Sequence, residues 1–181
     1  MRKLIMWNLM TLDGFVEGPN RDIGWHDDAW GEEMAQLSME QGRAAGALLF
    51  GRITYELMAG HWPTAKGEIA DFMNDLPKIV VSRTLEKAEW NNTRIIRENA
   101  PEEIAKLKRE PGKDIYLFGS AELAASLIPH GLIDEFRIGL SPTVLGDGSP
   151  LFKANPERLK LQLIEARPLD SGAVLLRYRP A

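Results

Sequence analysis

The feature that most constrains the fold is a strand that runs into a helix across one small-residue turn. Residues 115–118 are four consecutive apolar residues, typical of a strand buried on both faces. Gly119 and Ser120 follow, and residues 121–128 then form a strong helix-forming run. Gly119 lets a ligand approach the backbone because it has no Cβ, and Ser120 is predicted to cap the helix. Such a helix start suits a phosphate group, although the same turn also occurs in connections that bind nothing.

The same order of strand and helix recurs through the first two thirds of the chain. The apolar run at 4–10, broken by Asn8, predicts a central strand, and 17–31 is a long Gly- and Pro-rich loop of the kind that is often functional. Alternating strands and helices imply a largely parallel sheet with helices on its faces. Further strands are predicted at 47–50, 78–81 and 94–96, and helices at 32–46, 51–58, 68–74 and 101–109.

The last fifty residues follow a different pattern. Residues 135–138 alternate polar and apolar side chains, which predicts a half-exposed strand. Residues 159–165 alternate in the same way, and 174–178 complete a hairpin through a turn at 170–172. We therefore predict an α/β fold whose mostly parallel sheet is closed by an antiparallel C-terminal hairpin.

Composition narrows the possible functions. The 181 residues predict one domain over 1–181, and a net charge of −4 argues against a nucleic-acid partner. The sequence contains no cysteine and only three scattered histidines, so we expect no disulfide, thiolate chemistry or metal site. No apolar run reaches membrane-spanning length, and the N-terminal run lacks a signal-peptide cleavage site. We expect a cytoplasmic protein that binds a small molecule.

Small or polar residues follow three of the predicted strands. In an open α/β sheet, ligands bind beyond the carboxyl ends of the strands. The segments 51–54 and 119–120 each supply a helix start suited to a pyrophosphate. The segment 82–84 contains Arg83, whose planar guanidinium can bind a phosphate through two hydrogen bonds. Together these ends indicate a dinucleotide with an additional phosphate, which is NADPH.

Other motifs give weaker indications. The glycine-rich segment 146–150 is not followed by a helix, so it is not a dinucleotide-binding fingerprint. The esterase pattern Gly-x-Ser-x-Gly does not occur in the sequence. His26, His61 and His130 fall in loops or at helix ends, and we expect none of them to be catalytic.

The motifs together resemble the dihydrofolate reductase superfamily. The segment 48–56 resembles its strand–Gly-Arg-x-Thr–helix region, 78–85 its 2′-phosphate segment, and 115–123 its Gly-Gly turn, with Ser120 in place of the second glycine. Residues 11–14 and 144–148 are closer to the C-terminal reductase domain of bacterial riboflavin biosynthesis proteins. The resemblance spans nearly the whole chain in order.

This resemblance implies a three-layer sandwich around an eight-stranded sheet, a homodimer, and a specific activity. The implied activity is NADPH-dependent reduction of a C=N or C=O bond in a pterin- or pyrimidine-like heterocycle, as in dihydrofolate reductase and 5-amino-6-(5-phosphoribosylamino)uracil reductase. Phe136, Ile138 and Leu140 would offer an apolar face for dimer formation. The implied cofactor-binding residues are Gly51, Arg52, Thr54, Ser82, Arg83, Thr84, Phe118, Gly119, Ser120, Ala121, Glu122 and Leu123.

The sequence offers two candidates for the catalytic acid. Dihydrofolate reductases hold a buried carboxylate on their first helix, and Glu33 is the best match, with Asp13 as the rival from the riboflavin-type motif. Glutamates at 32 and 33 are equally typical of a helix N-terminus without catalysis. The alternative function is therefore an NADP(H)-binding protein without efficient turnover, and a third possibility is a structural or partner-binding domain.

Overall fold

The computed structural model describes residues 1–155 and 157–181. We number its strands and α-helices in chain order, and short 3₁₀ turns cover Pro19–Arg21 and Ile128–His130. The strands are β1 (Leu4–Thr11), β2 (Phe15–Glu17), β3 (Ala45–Gly51), β4 (Lys78–Val81), β5 (Thr93–Ile96), β6 (Asp114–Phe118), β7 (Glu135–Ser141), β8 (Ser149–Pro150), β9 (Leu161–Pro168) and β10 (Val174–Pro180). The helices are α1 (His26–Ala29), α2 (Glu32–Ala44), α3 (Arg52–His61), α4 (Glu68–Asp75), α5 (Ala100–Arg109) and α6 (Ala121–Leu127).

An eight-stranded sheet forms the middle layer, in the order β5-β4-β3-β6-β1-β7-β10-β9. Neighbouring strands from β5 to β7 are parallel, whereas β10 pairs antiparallel with both β7 and β9. Strands β1, β3 and β6 lie at its centre, as their continuous apolar runs predict. The predicted α/β class, parallel sheet and antiparallel C-terminal hairpin are therefore confirmed.

Two apolar cores separate the sheet from its helices, one on each face. On the first face, Trp7 and Leu9 of β1 pack with residues of α2, α3 and α4. On the second face, Leu4 and Met6 pack with residues of α5 and α6. Successive residues of a strand point to opposite faces, so the alternation along β1 divides its side chains between the cores. The two helical layers around one sheet make the predicted three-layer sandwich.

Strand β7 differs from the prediction of a half-exposed strand. The side chain of Glu135 is only 5% exposed, and its carboxylate accepts hydrogen bonds from Arg137 (2.6 Å) and Arg177 (2.8 Å). Burial opposes ionisation of Glu135, but these two arginines outweigh it and hold the carboxyl pKa below its usual value. The polar positions of β7 are therefore covered and paired.

The apolar positions of β7 require a second correction. Phe136 and Ile138, predicted to offer a dimer face, are buried in the core beneath α5 and α6, and Leu140 is half-buried. Phe136 and Ile138 are unavailable to a second subunit because the same chain already covers them. Two exposed apolar side chains lie instead on the edge strand β9, Leu163 and Ile164.

The predicted loop at 17–31 contains more regular structure than expected. It includes the end of β2, a 3₁₀ turn and the short helix α1. Strand β2 pairs antiparallel with β8, forming a separate two-stranded ribbon. Within the described residues, no helix combines the length and apolar character needed to cross a membrane.

Candidate functional site

A large cavity lies at the carboxyl ends of the central strands. Its volume is about 1010 Å³, at the upper end of the range for small-molecule sites. Residues of β1, β3 and β6 form its floor, and the starts of α3 and α6 form one rim. Residues of α2, α3 and α4 also line the cavity, and so do residues of β2 and β8. The cavity occupies the place where ligands bind open α/β sheets.

Two strand-to-helix turns meet at this cavity and are held together by side-chain hydrogen bonds. The backbone N–H of Gly51 donates to Oγ of Ser120 at 2.6 Å. Both the N–H and the hydroxyl of Ser120 contact Oγ1 of Thr54, at 3.1 and 3.0 Å. These contacts join the end of β3 to the end of β6, which are neighbours in the sheet. The predicted pyrophosphate segments 51–54 and 119–120 are therefore adjacent in space.

Ser120 does not cap α6, contrary to the prediction. It has a left-handed backbone with φ 53°, and its side chain makes no capping hydrogen bond. The hydroxyl is instead used in the contacts with Gly51 and Thr54. Helix-capping propensity reflects only the residues at the helix start. Here the N–H of Gly51, at the end of the neighbouring strand β3, binds the same serine oxygen.

Glycine is required at position 119 for two separate reasons. Its φ of 55° lies in the left-handed region, which side chains with a Cβ disfavour. A Cβ at this position would also lie 2.9 Å from both Cγ2 and Oγ1 of Thr54. At Gly51 a Cβ would approach Oγ of Ser120 at 3.0 Å. The two glycines therefore allow the turns at the ends of β3 and β6 to pack closely at the rim of the cavity.

Most of the predicted cofactor-binding residues line this cavity. Arg52 forms a half-exposed ion pair with Glu56 at 3.0 Å, and Glu122 pairs with Lys153 at 3.3 Å. Both pairs are accessible to solvent, so they are weak and can open toward an anionic ligand. The predicted residues that line the cavity are Gly51, Arg52, Thr54, Phe118, Gly119, Ser120, Ala121, Glu122 and Leu123.

The third predicted strand end lies outside the cavity wall. Ser82 is buried, and its hydroxyl accepts hydrogen bonds from the backbone N–H groups of Thr84 and Leu85 at 3.2 and 2.9 Å. Arg83 and Thr84 are exposed. This segment follows β4, which is the neighbour of β3, so it lies at the same edge of the sheet. Ser82 shapes the turn that presents Arg83 to solvent.

Neither predicted catalytic acid lines the cavity. The carboxylate of Glu33 accepts a hydrogen bond from the N–H of Asp170 at 2.6 Å, which fixes α2 to the β9–β10 turn. Asp13 accepts hydrogen bonds from the Thr11 hydroxyl at 2.6 Å and from the N–H groups of Leu145 and Gly146. The Thr11 contact makes the largest contribution to lowering the pKa of Asp13. Both carboxylates hold loops in place.

Comparison with known proteins identifies the family. Residues 2–175 match the family model described as the RibD C-terminal domain. The chain is also 34% identical over 186 aligned residues to the Bacillus subtilis (strain 168) protein YyaP, covering 98% of this chain and 94% of that protein. The chain belongs to the RibD C-terminal domain family. The suspected membership in this branch of the dihydrofolate reductase superfamily is thereby confirmed.

Several solved structures share the fold of this chain. A protein described as a riboflavin biosynthesis protein from Shewanella sp. PV-4 aligns with a TM-score of 0.80 at 18% identity, covering 99% of both chains. A deaminase/5-amino-6-(5-phosphoribosylamino)uracil reductase from Thermotoga maritima aligns at 0.72 and 14% identity, over 99% of this chain and 57% of that one. Dihydrofolate reductase from Enterococcus faecalis, complexed with NADP(H), aligns at 0.67 and 14% identity, over 98% and 96%.

The cavity of this RibD C-terminal domain chain has a mainly apolar inner wall. Trp7, Tyr116 and Phe118 come from the sheet, Met58 comes from α3, and Trp62 directly follows that helix. The Tyr116 hydroxyl accepts a hydrogen bond from Arg137 at 3.0 Å. Burial raises the pKa of this hydroxyl, so the phenol is neutral near neutral pH. Flat aromatic side chains of this kind suit a planar ring.

The polar wall residues that were not predicted as site residues include Gln41, His26 and Asn8. Gln41 is buried on α2, and its Oε1 accepts a long hydrogen bond of 3.4 Å from Arg137. Nε2 of His26 and Nδ2 of Asn8 are buried and have no hydrogen-bond partner among the described residues. Desolvation lowers the pKa of His26, which favours the neutral ring. The sequence did contain one signal, because Asn8 interrupts an apolar strand.

No cluster of three potential metal ligands occurs within residues 1–155 and 157–181. The carboxylates in the cavity wall are Glu17 and Glu122, which come from β2 and from the start of α6. Neither lies within the aromatic inner wall described above. The geometry is therefore suited to binding a large planar ligand with an anionic portion near the two turns.

Proposed function

We propose that this chain is an NADPH-dependent reductase of a small pterin- or pyrimidine-like heterocycle. The observation that carries the proposal is the meeting of the turns at Gly51 and Gly119 at one cavity edge. Family membership and the reductases of the same fold support an oxidoreductase. One of those reductases is complexed with NADP(H), which supports the choice of cofactor.

The two turns fit the pyrophosphate of a dinucleotide. The glycines let the two turns pack together at the cavity edge, and N–H groups at helix starts attract anions. A Cβ at either glycine would crowd the side chain of Thr54 or Ser120, so both glycines are needed for the two turns to meet. Gly51, Arg52, Thr54 and residues 119–123 would hold the pyrophosphate and nicotinamide side. When bound, NADPH supplies the hydride.

Arg83 would bind the 2′-phosphate that distinguishes NADPH from NADH. It follows β4 at the same edge of the sheet, and the turn made by Ser82 leaves it exposed. An exposed guanidinium is available for a charge-assisted contact with a phosphate. Ser82 and Thr84 would support this contact through the backbone of the turn.

The substrate would lie against the aromatic inner wall of the cavity. Trp7, Tyr116 and Phe118 offer flat apolar surfaces to a ring, and Gln41 adds a polar group on α2. This wall orients the ring and excludes water from it, which are the tasks that a protein performs in hydride transfer.

A second function is a binding protein for NADP(H) without efficient turnover. It is favoured by one observation, namely that Glu33 and Asp13 are both engaged in loop contacts away from the cavity. Reduction of a C=N bond needs a proton as well as a hydride, so a missing donor would slow turnover. The two functions share the cofactor site and differ only in the substrate-dependent step.

The test combines cofactor binding with substrate-dependent oxidation. Trp7, Trp30 and Trp62 line the cavity, so NADPH binding should quench tryptophan fluorescence. Oxidation of bound NADPH is then followed by absorbance with a panel of pterins and aminopyrimidines. Quenching with turnover supports the reductase, quenching without turnover supports the binding protein, and no quenching refutes both.

A further inference from the structure

Asn8 is a buried polar residue whose donor group has no partner. The residue is only 4% exposed, and its Nδ2 makes no hydrogen bond to any described residue. A buried amide without a partner is costly, and native proteins rarely retain one without a reason. Asn8 also belongs to the wall of the large cavity. A ligand in that cavity is therefore the available source of the missing partner.

The position of Asn8 on β1 explains why the protein leaves it unpaired. Pairing of β1 with β6 ends at Trp7–Phe118, whereas pairing with β7 continues to Thr11–Ser141. Asn8 is thus the first residue of β1 beyond the end of β6, and it lines the cavity there. On its own face of the sheet the neighbours are apolar, including Met6 on β1 and Ile138 in register on β7.

We propose that the Asn8 carboxamide binds a planar amide group of the ligand. An asparagine side chain offers both a donor and an acceptor, so it complements a carboxamide or a ring lactam through paired hydrogen bonds. This inference rests on the proposed function, because both expected ligands carry such a group. The nicotinamide carboxamide is one source, and the lactam of a pterin-like substrate is the other. Asn8 is a binding residue that selects for this group.

The first test separates a ligand-binding role from a structural one. Asn8→Leu has nearly the same shape but removes the unpaired donor. Without ligand we expect the melting temperature to rise by roughly 2–4 °C, because a buried unsatisfied group is lost. Affinity for the ligand should fall by about ten-fold, the typical cost of one unmatched hydrogen bond. Met10→Leu is the control, since Met10 lies on the same face but outside the cavity wall.

The second test identifies the source of the amide. NADPH and 2′-phospho-ADP-ribose share every group except the nicotinamide ring. A loss of affinity for NADPH but not for 2′-phospho-ADP-ribose assigns Asn8 to the nicotinamide. A loss confined to binding of pterin by the NADPH-loaded protein assigns Asn8 to the substrate. Asn8→Ala is measured in parallel and should show the same pattern of losses, which keeps the test valid if leucine prevents folding.

Specific results would overturn the proposal. Unchanged affinities for NADPH and pterin in the Asn8 variants, with normal binding by the wild type, refute the role of Asn8 alone. Equal losses for NADPH and 2′-phospho-ADP-ribose, or a lowered melting temperature in Asn8→Leu with intact binding, assign Asn8 a structural role. A wild-type protein that binds neither NADPH nor 2′-phospho-ADP-ribose refutes the proposed function itself.

Discussion

Replacing Gly119 with alanine should destabilise the protein more than the same change at a matched glycine. Gly119 and Gly131 both have left-handed backbones, with φ of 55° and 62°. A Cβ at Gly131 meets no atom within 4 Å, whereas one at Gly119 lies 2.9 Å from two side-chain atoms of Thr54. The pair therefore separates the conformational cost of alanine from the steric cost.

The expected magnitudes follow from these two costs. A left-handed alanine costs about 1–2 kcal/mol, offset by about 0.4–1 kcal/mol from a less flexible unfolded chain. Gly131→Ala should therefore lower the free energy of unfolding by about 1 kcal/mol. Gly119→Ala carries the same cost and a further 1–3 kcal/mol, roughly, for crowding against Thr54. Thr54 cannot move freely because Ser120 is hydrogen-bonded to it.

Urea unfolding of both variants measures the difference. In a Thr54→Ala background the crowding atoms are absent, so the cost of Gly119→Ala should fall toward that of Gly131→Ala. Affinity for NADPH should fall in Gly119→Ala and remain unchanged in Gly131→Ala. Equal destabilisation of the two single variants, within about 0.5 kcal/mol, would refute the steric argument.

Four further predictions address the cofactor, the acid, the assembly and the pH response. Arg83→Ala should lower the affinity for NADPH by roughly one to two decades and leave the affinity for NADH nearly unchanged. The control Lys87→Ala, which removes a neighbouring exposed cation, should change neither affinity. Equal losses of affinity for both cofactors would contradict the role of Arg83. Turnover of dihydrofolate should lie far below the roughly 10 s⁻¹ typical of enzymes, and Glu33→Gln should lower the melting temperature without changing NADPH binding; a selective loss of turnover in that variant would restore Glu33 as the acid. Light scattering should give twice the chain mass of 20.3 kDa, and Leu163→Lys on the exposed edge strand β9 should give one chain mass; a wild type of one chain mass would exclude the dimer. Burial lowers the pKa of His26 in the folded protein, so the unfolded chain binds more protons as the pH drops through 6.5, and the stability of the protein falls. The melting temperature of His26→Gln should decrease less than that of the wild type over the same pH range. An equal decrease in the two proteins would contradict this role of His26.

Much of the sheet could be predicted because its central strands are continuous apolar runs. Strands such as β4 and β6 are covered on both faces, and few other elements of a globular chain have that composition. The strand-to-helix turns at Gly51 and Gly119 were recognisable for the same reason, since small residues follow the apolar runs directly. Their adjacency followed from the general rule that ligands bind at the carboxyl edge of a parallel sheet.

What could not be predicted depends on partners that are distant in the sequence. Glu135 alternates with apolar residues as in a half-exposed strand, but Arg177, more than forty positions later, pairs with it. Glu33 was predicted as the acid from the first helix alone, and its hydrogen bond with the N–H of Asp170 depends on a turn more than 130 positions later. Local sequence determines which residues are polar, whereas tertiary contacts determine which of them remain available to a ligand.

The most direct test of the account is a crystal structure of the protein grown with NADPH. We predict one NADPH per chain in the large cavity, with its pyrophosphate beside the backbone of Gly51 and Gly119 and its 2′-phosphate near Arg83. Crystals grown with saturating NADPH that show no dinucleotide in this cavity, or show it bound elsewhere on the chain, would contradict the central claim.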